Sequence, residues 1–256
     1  MSARPAFGRL LRHFRASRGL SQLTLALDVE TTTRHLSYLE NGRSRPRREL
    51  VLRLADALDL PLRARNELLI AAGLAAEFPS HSLGDAALAP YRAAVARLLD
   101  ALEPYPAFVV DSVLDLEEAN TAGRRMLASG LERPNLVDVF LAPGPARESL
   151  VNFADVAWSW RDRFLRATAH LDAREDLAPI RARLDEYLAD VPRPPFDAQG
   201  ELVLCPTFRI GDRTVRTIGM TMRFGPSRDV TLEELSVEVL QPRDEEADRF
   251  FRELAG

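Results

Sequence analysis

Between Thr32 and Tyr38 the chain sets hydroxyls, a guanidinium, an imidazole and a phenol close together, as Thr32, Thr33, Arg34, His35, Ser37 and Tyr38. Leu36 and Leu39 interrupt the run at a spacing of three. In a helix they share one face and leave Thr33, Arg34, Ser37 and Tyr38 on the other, with Thr32 and His35 at its margins. Such a face has the chemistry of base-edge recognition in a DNA major groove. An Arg can bond guanine through two donors, hydroxyls bond bases or phosphates, and a Thr methyl can touch thymine. Arg43, Arg45, Arg47 and Arg48 follow directly, placed to grip the phosphate backbone beside the groove. A plain helical hairpin with a solvated, charged face would show the same residues, so the neighbouring elements have to decide.

Those elements read as a small helical bundle. Ser21 is an N-cap for a short helix that starts at Gln22, and Leu23, Ala26 and Leu27 recur at the spacing that turns them inward. Asp28, Val29, Glu30 and Thr31 lack that spacing and make a turn. Thr32 or Thr33 caps the next helix, which Asn41 and Gly42 end. Ahead of this pair, Phe7, Leu10, Leu11 and Phe14 mark one face of a first helix; Arg12 lies off it, within reach of a phosphate. Leu50, Leu54 and Leu58 define a fourth helix, and LRARNELLIAAG a fifth that ends at Gly73. The DNA-contacting candidates are Arg12, Gln22, Thr32, Thr33, Arg34, His35, Ser37, Tyr38, Arg43 and Arg45.

Charge supports that division. Residues 1–78 hold 13 Arg against 8 acids, a balance of +5, and residues 79–256 hold 21 against 30, a balance of −9, which together give the net −4 of the 256-residue chain. A basic head on an acidic body is what a DNA-binding domain attached to a non-DNA-binding one shows. All 34 basic residues are Arg, which reads as genomic base bias. The single Cys205 and four scattered histidines (His13, His35, His81, His170) lack metal-ligand spacing. No metal and no cofactor is expected. No apolar run is long enough to span a bilayer and the N-terminus lacks a signal-peptide core, so the expected location is the cytoplasm. There is no Gly-rich phosphate loop, G-x-S-x-G elbow or His-Glu metal motif, and an enzyme is not expected.

From Phe78 to Pro90 the sequence is Pro- and Gly-punctuated; residues 79–90 read as a linker. A helix over Tyr91–Leu102 follows. Ala107–Val110 and Leu114–Ala119 then read as strands, and Asn120 as the cap of a helix through Leu127. Helical segments fill 135–190, including one from Arg147 to His170. Strands return at Leu202–Ile210 and Arg213–Phe224, joined by a Gly211-Asp212 hairpin turn. A last strand, LSVEVLQ, alternates with Leu235, Val237 and Val239 on one face. Two strands, helices and three more strands predict one sheet with helices over it.

The stretches SQLTLAL, RHLSYLENGR and RPRRELVLRLADALDLPLRARNELLIAAG resemble the xenobiotic-response-element (phage-repressor-like) helix-turn-helix domains of bacterial regulators. Farther on, YPAFVVDSVLDLEEAN, NLVDVFLAP, VNFADVAW and FGPSRDVTLEELSVEVLQP resemble the MmyB-like ligand-binding domain. The helix-turn-helix family usually has Gly where this chain has Glu30 and a small apolar residue where it has Thr31, and the MmyB-like domain often has Trp-Asn at Leu114 and Asp115 and Trp at Phe153. The resemblance implies a five-helix helix-turn-helix bundle over residues 1–78, then a PAS-like α+β domain with a five-stranded antiparallel sheet over residues 91–256. It also implies a transcription regulator that binds double-stranded DNA and holds a small apolar, fatty-acid-like ligand.

Aromatic residues between the long helix and the sheet are compatible with a ligand pocket lined by Phe108, Val110, Met126, Phe140, Phe153, Trp158, Trp160 and Phe208; an ordinary core would use the same stripe. Asn120 is a ligand-contact candidate that also suits a helix cap. The leading expectation is a homodimer on a two-fold DNA site, as such heads read symmetric DNA, with ligand altering its affinity. The alternatives are a second domain that serves as a ligand-free dimerisation or protein-interaction module, and a DNA-tethered enzyme.

Overall fold

A computed structural model describes residues 3–127, 134–168, 177–195 and 203–255; the helix end expected at His170 and the strand start expected at Leu202 lie outside them. The backbone forms two compact units. One runs up to His81 and takes in Thr168 and Pro226–Glu233; the other comprises the remaining described residues.

In the first unit the helices are α1 (Ala3–Ser17), α2 (Gln22–Asp28), α3 (Thr33–Glu40), α4 (Arg48–Ala57) and α5 (Leu62–Ala71). Phe7, Leu11 and Phe14 of α1 meet Leu36 and Leu39 of α3 and Val51, Leu54, Leu58, Leu68 and Leu69 behind them in one buried core. Gly8 lets α1 approach the end of α3: a Cβ there would stand 2.3 Å from the Glu40 carbonyl oxygen.

The packing of α2 differs from expectation. Leu23 and Leu27 are 58% and 68% exposed, while Leu25, Ala26 and Val29 are buried. Ala26 belongs to both candidate stripes, and in a helix of two turns the core selects the one that ends at Val29, on the turn.

The second unit starts with a tight turn of helix over Ala86–Leu88, then α6 (Ala89–Leu102), β1 (Ala107–Val110), β2 (Leu116–Ala119), α7 (Thr121–Leu127), α8 (Leu136–Leu141), α9 (Pro145–Ser149), α10 (Phe153–Thr168) and α11 (Leu177–Tyr187). It continues through β3 (Thr207–Ile210), β4 (Arg213–Arg223), β5 (Ser236–Pro242) and α13 (Glu245–Ala255); α12 (Val230–Glu234), which lies between β4 and β5 in the chain, belongs to the first unit through Glu233. The sheet order is β2-β1-β5-β4-β3, antiparallel throughout.

Three boundaries move from their sequence positions for identifiable reasons. β2 starts at Leu116 because Asp111 accepts from the Val113 and Asp115 amides, which makes a turn that puts Leu114 at φ +67. β3 starts at Thr207 because Pro206 has no N–H for the ladder, and its carbonyl accepts instead from Thr217 N and Oγ1. The helix expected from Arg147 is broken at Leu150–Asn152. There Val151 N donates to Thr207 O at 2.8 Å, and Asn152 bonds Thr207 N and Cys205 O. A helix no sequence pattern had marked, α13, is started by Asp244, whose carboxylate accepts from Ala247 N; it buries Ala247 and Phe251.

Candidate functional site

Local capping builds the α2–α3 pair. Ser21 Oγ accepts from Thr24 N at 3.0 Å and Thr32 Oγ1 from His35 N at 3.1 Å, which makes Thr32 the cap of α3 and Thr33 its first residue. Between the helices Glu30 takes φ +52, a left-handed conformation that disfavours side chains. On α3, Thr33 and Arg34 are exposed and His35, Ser37 and Tyr38 half-buried. Arg34 Nε donates to Tyr38 Oη at 3.0 Å, and its guanidinium lies 5.4 Å from that ring centre. Arg43, Arg45 and Arg47 are exposed just beyond.

Arg12 and Gln22 have partners within the unit. Both converge on Glu40, at the buried end of α3: Gln22 Nε2 donates to it at 2.8 Å and Arg12 Nε at 3.4 Å, while Arg12 Nη2 reaches Asn41 Oδ1 at 2.9 Å. Arg15 closes the cluster with bonds of 2.6 and 3.1 Å to the same carboxylate. Burial would raise the Glu40 pKa, but hydrogen bonds from Arg15 and Gln22 and the charges of Arg15 and Arg12 outweigh it and hold the group below the usual carboxylate range. One carboxylate thus orients α3 against α1 and α2.

In the second unit a cavity of about 240 Å³ opens among α8, α10 and the sheet, just under the roughly 300–1,000 Å³ of small-molecule pockets. Its lining includes Phe108, Phe140, Leu150, Val156, Trp160, Phe208 and Val239. Phe140 packs edge-on to Trp160 with ring centres 5.9 Å apart and tilts against Phe208 at 6.4 Å. Polar groups stand at one edge: Ser159, Arg163, Thr221 and Glu238.

Of the sequence candidates, Phe108, Phe140, Trp160 and Phe208 line this cavity; Val110, Asn120, Met126, Phe153 and Trp158 do not. Asn120 is buried and accepts from Ala107 N and Gly123 N, so it joins β1 to α7. Trp158 donates to Val191 O and packs under Arg161 and Arg193. Phe153 lies 4.2 Å from the Arg147 guanidinium, and Met126 lines a separate cleft with Asp138 and Arg183.

The family model of the MmyB-like transcription regulator ligand binding domain matches residues 91–254. The chain belongs to the MmyB-like transcription regulators. A helix-turn-helix family model matches residues 6–68 of this regulator, the segment that holds α2, α3 and their caps. Two crystal structures of the clp gene regulator ClgR from Corynebacterium glutamicum are similar to it. They are 33% and 30% identical, cover 28% and 41% of this chain and 91% and 97% of their own, and each has a TM-score of 0.26. No curated protein matches the chain.

Sequence reasoning missed Glu40 in this regulator. The signal was present in the spacing, since Glu40 lies four residues after Leu36 and so on the same inward face. Arg163 and Glu238 were missed too, and no sequence spacing joins a helix residue to a strand residue 75 positions away.

Proposed function

We propose that this regulator reads a specific duplex sequence with the outward side of α3, as a homodimer on a two-fold site. A small, mostly apolar, fatty-acid-like molecule in the cavity of the second unit sets its affinity for that site. Thr33, Arg34, Ser37 and Tyr38 make the base-edge contacts, with Thr32 and His35 at the margins, and Arg43, Arg45, Arg12 and Gln22 hold phosphates. Residues 79–90 act as the linker between the two functions. The observation that carries the ligand half is the aromatic-walled cavity within the segment matched by a ligand-binding family model. A ligand-free interaction module is the second reading, favoured by the exposed Ile218 and Met220 on β4.

Native mass spectrometry of the purified full-length protein, before and after denaturing extraction, separates the two. The first reading predicts a mass excess that leaves as a defined small apolar molecule. A protein that runs at its bare mass, and stays so after incubation with a lipid extract of its expression host, supports the second.

A further inference from the structure

Adjacent antiparallel strands are commonly joined by about two to five residues. β4 and β5 pair from Thr217↔Pro242 to Arg223↔Ser236, yet residues 224–235, twelve in all, separate them. The excess lies in the other unit: Pro226–Glu233 belong to the first, while both strands belong to the second. The same strands carry Gly219, Thr221, Glu238 and Leu240 of the cavity lining. One stretch of chain therefore starts and ends in the cavity wall and spends its middle in the helix-turn-helix unit.

Within that unit the connection is bonded at two places. At the first, Val230 N donates to Pro79 O at 2.9 Å and Thr231 Oγ1 donates to His81 O at 2.7 Å. Asp229 completes this clasp: its Oδ2 accepts from His81 N at 3.3 Å and stands 2.7 Å from His81 Nδ1. Asn66 of α5 holds the residues just before, accepting from Glu77 N and Phe78 N and donating to Phe78 O. At the second place, Glu233 Oε2 accepts from Leu62 N at 2.7 Å. Leu62 is the first residue of α5, and Pro61 before it makes no side-chain cap bond. A carboxylate there satisfies an orphaned N–H and sits at the positive end of the helix. α5 in turn places Leu68 and Leu69 in the buried core with α1 and α3.

On the reading that a molecule in the cavity sets DNA affinity, we propose that Pro226–Glu233 is the element that carries its effect to α3. A flexible tether over residues 79–90 transmits no orientation. The connection does, because both its ends are fixed in the sheet ladder and its middle is fixed to α5 and to Pro79–His81. A molecule that displaces β4 and β5 must either carry α5 along or break the clasp, and each changes how the bundle presents α3. Coupling of this kind needs one physical element whose arrangement both sites bias. Asp229, Thr231 and Glu233 are the positioning residues of this path, and none of them lines the cavity.

The test uses full-length, delipidated protein and a duplex it selects from a random pool, titrated with and without octanoate, dodecanoate, hexadecanoate or the molecule recovered by denaturing extraction. At least one of these additions changes the wild-type dissociation constant for DNA by about fivefold or more. In the double variant Glu233→Ala/Thr231→Val the same addition still binds within about threefold of wild type by isothermal titration, yet changes the DNA constant by less than about twofold. A double variant that binds the addition and responds as wild type does overturns the inference and leaves the ligand reading standing. If the double variant does not fold, Thr231→Val alone carries the test: it removes one hydroxyl from the clasp, and an undiminished response overturns the inference. If no addition changes the wild-type constant, the ligand reading falls, and this inference with it.

Discussion

Arg34 is partly ordered before any base is met, since Tyr38 holds its Nε at 3.0 Å and offers it a ring face. A side chain already held loses less freedom on binding. Arg34→Ala is expected to weaken binding to a selected duplex by about 1–3 kcal/mol, with a smaller loss on random DNA. Arg45→Ala should weaken both alike and lower the slope of affinity against salt by about one. Equilibrium titrations on the two duplexes check this; an equal loss on both for Arg34→Ala would contradict its placement at a base. Glu40 acts at the same scale but on stability. Its folded pKa lies below the ordinary value of about 4.3, so its contribution is complete above that value and is lost as pH falls through the folded one. The protection factors of α1 and α3 amides, exchange corrected for its intrinsic pH dependence, should therefore fall in acid. In Glu40→Gln that acid limb should flatten, and an unchanged pH profile would show that Glu40 does not hold these helices together.

At the scale of elements, what was legible was local. Ser21 and Thr32 bond amides three residues on, and such caps are written in a few consecutive residues. The strand pattern of Leu235, Val237 and Val239 likewise survives as three buried residues. What failed depended on distant partners. The buried stripe of α2 is chosen by the core rather than by its seven residues, and α9 and α10 separate because Leu150–Asn152 bonds to residues more than 50 positions away. The cavity divides the same way. Trp160 and Trp158 are two residues apart, about 200° around a helix, so only Trp160 faces the lining. The α2–α3 turn adds an energetic consequence. Glu30 holds φ +52 with its side chain 86% exposed and only a 3.6 Å pair to Arg53. An L-residue in this conformation loses roughly 1–2 kcal/mol, and an exposed pair returns at most about 1 kcal/mol. After the extra entropy of a glycine in the unfolded chain, Glu30→Gly should stabilise the first unit by up to about 1 kcal/mol. Thermal unfolding reads this as a higher midpoint; a lower one would mean that the turn carries no such strain.

At the scale of the whole molecule, the +5 of residues 1–78 and the −9 of residues 79–256 direct DNA toward the head, because like-signed fields repel polyanions from the rest. Ligand control requires more than that asymmetry. If a molecule in the cavity changes DNA affinity, DNA must change the affinity of that molecule by the same factor, typically about 5–150-fold. The most direct measurement is the affinity of full-length protein for a duplex selected by it from a random pool, with the cavity filled and then emptied by delipidation. The account predicts two dissociation constants that differ by at least about fivefold, with the first restored when the extracted molecule is added back. Identical constants in all three states would contradict it and leave a DNA-binding regulator whose second unit does not act through a ligand.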